Sequence, residues 1–134
     1  MRRQAKVDPE GFRSDCSIAR ALDLLGDRWT LLIVRDLMWH GKHTFQALSR
    51  SDERIPSNLL ADRLTKLQRW GLVEREAYQD RPVRYRYDLT PLGRTLEPLL
   101  KAAMDWGFTH LGGGFHDPSG AVPDRKARRP KPRS

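Results

Sequence analysis

Short polar side chains recur on one face of a helix that is predicted to begin at Pro56-Ser57 and to end near Trp70. The leucines of this segment lie together on a helical wheel, so the opposite face is small and polar. A helix about 12 Å wide can enter the major groove of DNA when its exposed side chains are short or lie along the base edges. The candidate base-reading residues are therefore Ser57, Asn58, Ala61, Asp62 and Thr65.

Basic side chains occur at the end of this helix and in the segment that follows it. Lysine and arginine at such positions can bind phosphates on either side of the groove. A polar helix face is usually only solvated, but the arginines of the following segment favour nucleic-acid binding here. Basic hairpins also occur in RNA-binding proteins, yet the aromatic platform of single-strand binders is missing from the outward positions, which favours duplex DNA. The phosphate candidates are Lys66, Arg69, Arg81, Arg84 and Arg86.

Cys16 is the only cysteine, which excludes an intrachain disulfide and a cysteine-cluster zinc site. It stands at the start of a predicted helix between Arg13 and Arg20, and positive charge favours the reactive thiolate. The adjacent Asp15 has the opposite effect. Two interpretations stay open, a thiol that senses oxidants or electrophiles and an inert, partly buried cysteine.

Metal binding and catalysis have little support in the residue pattern. A nucleophile with a base, or convergent carboxylates, does not form a recognisable constellation. The histidines lack the close spacing of metal ligands, so we expect no metal and no cofactor. These histidines are His40, His43, His110 and His116.

Aromatic residues at helical spacing have two interpretations. They belong to the core in most proteins, but they can also line a small-molecule pocket between subunits. A small-molecule effector therefore stays open. The residues concerned are Trp29, Trp39, Trp106 and Phe108.

The elements that position these residues follow from hydrophobic periodicity. The first helix takes Ser14 or Asp15 as its N-cap and ends at Gly26. A buried second helix spans residues 28–39, and a two-turn third helix follows Thr44 as N-cap and ends near Arg50. A loop over residues 51–55 leads to the helix with the polar face.

The period then changes to two, which predicts a β-hairpin. Its strands span residues 72–78 and 83–89, and residues 79–82 join them. In the second strand apolar residues alternate with Arg84 and Arg86, so one face is basic. Thr90-Pro91 begins a last helix that continues to the glycines at 112–114. This order predicts a mainly α fold with a small β-hairpin wing, a winged helix-turn-helix.

Bulk composition agrees with one soluble domain. The chain has 134 residues, 38% of them hydrophobic, and no apolar run long enough for a bilayer or a secretory signal, so we expect a cytoplasmic protein without membrane contact. The net charge of +8 lies mostly in the ends, because residues 14–114 carry 15 basic and 13 acidic residues. We expect a disordered leader over 1–13, a folded domain over 14–112 and a basic, disordered tail over 113–134.

Several segments resemble the HxlR-type winged-helix regulators. The run CSIARALDLLGDRWTLLIVRDL, from Cys16 to Leu37, is similar to the family signature across the first two helices. Residues 45–48, 55–64, 67–73 and 87–93 are similar to the family in order and spacing. One departure is Ile55-Pro56-Ser57, where the family more often has Ile-Ser-Pro.

The resemblance implies a cytoplasmic homodimer, held by its first and last helices, that binds an operator with two recognition helices and usually represses. It also places Cys16 where several similar regulators carry a sensing thiol. We therefore expect a DNA-binding transcriptional regulator that is released by an oxidant or electrophile at Cys16, or by a small-molecule effector. The alternative is a dimeric small-molecule or redox sensor without specific DNA binding.

Overall fold

The computed structural model describes residues 11–114. Most of the predicted leader, nearly all of the predicted tail, and His116 lie outside these residues. The order of helices and strands confirms the predicted mainly α fold with a hairpin wing. The elements are α1 (Ser17–Leu25), α2 (Thr30–Met38), α3 (Phe45–Ser49), α4 (Ser57–Arg69), β1 (Val73–Asp80), β2 (Val83–Leu89), α5 (Pro91–Arg94) and α6 (Glu97–His110).

The core is built around one stripe of α4. Leu60, Leu64 and Leu67 are each at most 2% exposed and belong to the same buried cluster as Val34 of α2 and Leu48 of α3. Each buried leucine of this kind contributes about 1.5–3 kcal/mol relative to an exposed one. The predicted inward face of this helix is confirmed, and its burial fixes which residues of α4 point outward.

The end of α4 is set by Gly71. Its backbone has a φ of 75°, a left-handed conformation that glycine adopts without steric cost. The amide of Gly71 donates to the carbonyl of Gln68 (3.0 Å), and that of Leu72 donates to Leu67 (2.9 Å). These two bonds form a Schellman motif, which turns the chain directly into β1.

The two strands form an antiparallel hairpin, which is longer at its tip than the sequence predicts. β1 continues to Asp80, so the turn consists only of Arg81 and Pro82, joined by a cis peptide bond. The register shifts between Ala77 and Gln79, which leaves Tyr78 in a bulge. The predicted four-residue connection was therefore too long.

The hairpin is attached to the segment before α3. Thr44 forms an isolated antiparallel bridge with Arg86, and the amide of Tyr87 donates to the carbonyl of His43 at 2.7 Å. The Thr44 hydroxyl also accepts from the Ala47 amide, which confirms Thr44 as the cap of α3. One short segment thus holds both the wing and the start of α3.

The last helix is interrupted, contrary to the prediction of one continuous helix. α5 is capped by Thr90 as predicted, but it ends at Arg94, and α6 begins at Glu97. Pro98 lies in the first turn of α6 and has no amide hydrogen for a bond to Arg94, so a continuous helix would lose a bond there.

Two other predicted helix boundaries were wrong. Cys16, not Ser14 or Asp15, occupies the N-cap of α1, and no side chain caps that helix. The Ser14 hydroxyl instead accepts from the Cys16 amide. Helix α2 begins at Thr30, two residues later than predicted, because the Asp27 carboxylate accepts the amides of Trp29 and Thr30.

Helices α1 and α6 carry exposed apolar side chains. Ile18 is 72% exposed and Trp106 is 60% exposed, and Leu22, Phe108 and Leu111 are also exposed. The interpretation of Trp106 and Phe108 as core residues is therefore wrong for the single chain, whereas Trp29 and Trp39 pack against the core. Within residues 11–114, no helix is long and apolar enough to cross a membrane.

A buried carboxylate connects α2 to the loop after α3. Asp36 is 2% exposed; it accepts from the Ser51 hydroxyl, and its Oδ1 lies 2.9 Å from both His40 Nδ1 and Arg35 Nη2. Arg35 also binds Glu53 through two nitrogens, at 2.7 and 2.9 Å. Burial opposes ionisation of Asp36, but these partners outweigh it, and the pKa of Asp36 lies below its ordinary value.

Replacing Asp36 with asparagine should lower the free energy of unfolding by about 2–4 kcal/mol at pH 7, because Arg35 and His40 lose a buried anionic partner. Because the pKa of Asp36 is lower in the folded than in the unfolded protein, the ionised carboxylate stabilises the fold at pH values above the unfolded pKa of about 3.9. This stabilisation is lost as the pH falls through the pKa of the folded state. The difference between the parent and Asp36→Asn should therefore shrink below about pH 4.

Urea unfolding at several pH values measures this difference. Asp80→Asn, at the exposed end of β1, is the matched control and should leave the curve nearly unchanged. A difference that stays constant between pH 7 and pH 3 would contradict an ionised Asp36 in the folded state.

Candidate DNA interface

The outward face of α4 is exposed along its whole length. All five predicted base-reading residues are exposed, and they lie opposite the buried leucine stripe. None of the five side chains is longer than that of asparagine or aspartate, so the face is narrow. A narrow face of this kind can approach the base edges of a major groove. The residues are Ser57, Asn58, Ala61, Asp62 and Thr65.

Local contacts order part of this face. Asp62 binds Arg63 and Lys66, with Lys66 Nζ at 3.3 Å from its Oδ2, and the Thr65 hydroxyl donates to the carbonyl of Ala61 at 3.0 Å. The hydrogen bond from Lys66 is the main reason why the pKa of Asp62 lies below its ordinary value. Asp62 is thus an ionised acceptor, and its cationic neighbours reduce the repulsion that a DNA phosphate would feel.

The start of α4 differs from the common family pattern. Pro56 occupies the N-cap, and no side chain caps the helix. Ser57 is therefore the first helical residue instead of the cap, and its side chain stays on the exposed surface. The departure at Ile55-Pro56-Ser57 changes the role of the serine but keeps the start of the helix.

The wing follows α4 in the chain, and its three candidate arginines are exposed. Arg81 is in the turn, and Arg84 and Arg86 are exposed positions of β2, whereas Tyr87 between Arg86 and Asp88 is buried. From Arg84 to Tyr87 the exposed arginines alternate with the less exposed tyrosines, as predicted, but Val83 at the tip is exposed as well. Arg86 Nε lies 3.2 Å from Asp88 Oδ2, so part of its charge is already compensated.

The contact between Asp27 and Arg63 was missed by the sequence analysis. The Asp27 carboxylate caps the start of α2, accepts from the Thr30 hydroxyl, and lies 2.9 Å from Arg63 Nε of α4. Partial burial opposes its ionisation, but the bonds from Thr30 and Arg63 hold the pKa of Asp27 below its ordinary value. One side chain therefore fixes the orientation of α4 relative to α2. The sequence did contain one signal for this role of Asp27, because an acidic residue just before a helix often accepts its first amides.

Cys16 is exposed at the start of α1. The two arginines that the sequence places near it both bind carboxylates. Arg13 forms an ion pair with Asp23, and Arg20 lies 3.1 Å from Asp15. The positive surroundings expected for the thiol are therefore partly neutralised, and its reactivity stays a prediction.

Comparisons with known protein families agree on one class. The model of a family described as HxlR-like helix-turn-helix matches residues 24–113. An uncharacterised HTH-type transcriptional regulator of Mycobacterium tuberculosis is 41% identical over 95 residues, which are 71% of this chain and 59% of that protein. The regulator YdeP of Bacillus subtilis is 34% identical over 69% of this chain and 71% of its own length. The chain thus spans less than two thirds of the mycobacterial relative.

Solved structures give the same fold. The redox regulator HypR in its oxidised form has a TM-score of 0.64 at 32% identity, with 71% of this chain and 97% of that chain covered. The reduced form of the transcriptional regulator YodB from B. subtilis has a TM-score of 0.60 at 30% identity, with 76% and 100% covered. The winged helix-turn-helix architecture is therefore shared with known transcription regulators.

The coupling between Asp27 and Arg63 can be measured by a double-mutant cycle. We expect Asp27→Asn to lower the free energy of unfolding by about 1–2 kcal/mol, because the cap and the ion pair both weaken. The coupling energy with Arg63→Gln should be about 0.5–1.5 kcal/mol in urea unfolding. Arg69→Gln, on the exposed face of the same helix, should show no coupling with Asp27. Equal coupling for both arginines would rule out a specific link between α2 and α4.

Proposed function

The chain belongs to the HxlR-like helix-turn-helix family of transcriptional regulators, and from this premise we propose that it binds an operator in duplex DNA as a homodimer and represses transcription. The observation that carries the proposal is the two-sided character of α4. One side is buried through three leucines, and the other is an exposed row of short polar side chains. The wing, which follows α4 in the chain, adds exposed arginines. This combination suits a major-groove helix with phosphate contacts at its flank.

The residues of α4 have distinct roles in the proposed interface. The Asn58 amide can form two hydrogen bonds with adenine, and the Asp62 carboxylate can accept from the amino group of cytosine. Thr65 can contact a thymine methyl group or donate a hydrogen bond. Lys66, Arg69, Arg81, Arg84 and Arg86 then bind phosphates, which adds affinity without sequence preference.

The proposed dimer uses α1 and α6. Exposed apolar side chains lie on both helices and directly after the second, and their burial against a second copy would remove apolar surface from water. They are Ile18 and Leu22 on α1, Trp106 on α6, and Leu111, which follows α6. A twofold dimer presents two α4 helices to half-sites about 34 Å apart, which is one turn of DNA. The relative position of the two helices then controls affinity.

A redox signal at Cys16 fits this arrangement. The thiol is exposed at the N-cap of α1, two residues before Ile18 of the proposed dimer surface. Similar structures include HypR in oxidised and reduced forms and a diamide-treated form of YodB. Because each chain has one cysteine, oxidation can join two chains, with loss of two protons and two electrons to the oxidant, or form a mixed disulfide or sulfenic acid. A change at the start of α1 can then shift the two α4 helices.

Base reading by α4 predicts a loss that depends on sequence. Asn58→Ala or Thr65→Ala should weaken binding to the DNA upstream of the protein's own gene by about 1–3 kcal/mol and leave affinity for random duplex nearly unchanged. Arg81→Ala in the wing is the comparison variant. It should weaken binding to both duplexes and reduce the salt slope by roughly one unit. Gel shifts at several salt concentrations measure all of these quantities.

Equal losses on specific and random duplex for Asn58→Ala would contradict base reading by this face. If the parent protein binds no duplex in a salt-dependent manner, the chain is instead a dimeric sensor without specific DNA binding.

The sensing role of Cys16 predicts that Cys16→Ser binds operator normally and no longer responds to diamide or to an electrophile. The parent should lose operator affinity on the same treatment and regain it with a reducing agent. Mass spectrometry of the treated parent identifies the product at the thiol. A Cys16→Ser protein that still dissociates on treatment would show that the signal acts elsewhere.

A further inference from the structure

A cleft separates the start of α3 from the outer half of the wing. Its volume is about 290 Å³, close to the lower limit for small-molecule sites. Phe45 lines it on the α3 side, and Tyr78, Tyr85 and Tyr87 line it from the two strands. A cleft of this size accommodates a ligand of one or two fused rings.

The positive charge of the cleft favours an anionic ligand. Arg75 and Arg84 line it, and within the described part of the chain no carboxylate does. The Arg75 guanidinium lies over the Tyr85 ring, with its carbon 3.9 Å from the ring centroid, so the ring positions its charge at the cleft. Arginine next to aromatic faces is a combination that binds a carboxylate through two parallel hydrogen bonds while the rings stack on the ligand body.

We propose that this cleft binds a small aromatic carboxylate, and that the bound carboxylate lowers DNA affinity through Arg84. The regulatory half rests on the proposed DNA-binding function, because Arg84 is there a phosphate-binding residue. A carboxylate bound to Arg84 neutralises the charge that a phosphate would otherwise contact. The ligand also contacts both α3 and the wing, so it fixes the wing relative to the helices of the domain.

Two large side chains of the cleft are exposed at the tip of the wing. Tyr78 is exposed in the bulge of β1, and Val83 is exposed at the start of β2, although both are large side chains. Both residues lie near the tip of the wing, beyond the bridge between Thr44 and Arg86 that attaches the wing to the domain. A ligand stacked between Phe45 and Tyr78 would cover apolar surface on both sides.

Calorimetric titration with 2-naphthoate tests the site without DNA. We expect saturable binding with one site per chain, and at least tenfold weaker binding for Arg84→Gln, which loses a charge-assisted hydrogen bond. Tyr78→Ala removes a stacking face from an exposed position and should also weaken binding. Arg94→Gln, on the exposed surface of α5, is the matched control and should bind as the parent does. The neutral 2-naphthylmethanol should bind at least tenfold more weakly than the carboxylate.

Fluorescence anisotropy on the upstream DNA then tests the regulatory half. We expect 2-naphthoate to lower DNA affinity of the parent and of Arg94→Gln, and to have less effect on Tyr78→Ala. No titration signal, or equal binding by Arg84→Gln, would overturn the site. Naphthoate binding at the cleft with unchanged DNA affinity would overturn the regulatory half. Failure of the parent to bind DNA without ligand would contradict the proposed function instead and leave the titration result standing.

Discussion

Burial of three leucines on α4 is the constraint on which the rest of the interface depends. Leu60, Leu64 and Leu67 form one stripe at helical spacing, and Val34 and Leu48 belong to the same core. Once this stripe is buried, the rotation of the helix about its axis is fixed. The outward residues then have no freedom to change faces, because a rotation that moved Asn58 inward would expose leucine at a cost of about 1.5–3 kcal/mol for each side chain.

Burial of the stripe does not fix the tilt of α4, and two other contacts restrict it. Arg63, in the middle of the helix, binds Asp27 before α2, and the turn at Gly71 connects the end of the helix to β1. Gly93 of α5 then packs directly on the turn, since a Cβ there would lie 2.1 Å from the carbonyl oxygen of Leu72. The turn after α4 and helix α5 are thus in a contact that leaves no room for a larger residue at position 93.

Periodicity and caps were sufficient to predict most of the fold. Thr44 and Thr90 were predicted as caps because hydroxyl residues before an apolar run have a local role, and both act in this way. The Asp27–Arg63 and Asp36–Ser51 contacts join residues 36 and 15 positions apart, so no local pattern indicates them. The apolar face of α6 was recognised, but periodicity cannot tell whether the chain itself or a second copy covers Trp106. The break before Pro98 was missed because the leucines on both sides continue the helical pattern.

The charge balance of the folded part shapes how such a protein can bind DNA. Residues 14–114 carry nearly equal numbers of basic and acidic side chains, and several cations near the interface, Lys66 and Arg86 among them, are paired with Asp62 and Asp88. One folded unit therefore gains little from general attraction to phosphates. In the proposed homodimer, affinity would come from two α4 helices that engage two half-sites together. Two linked contacts strengthen binding only when the spacing of the helices matches the spacing of the half-sites. Such a dimer would respond to small movements at α1 or in the wing, because a mismatch at one half-site would remove the gain in affinity from binding both.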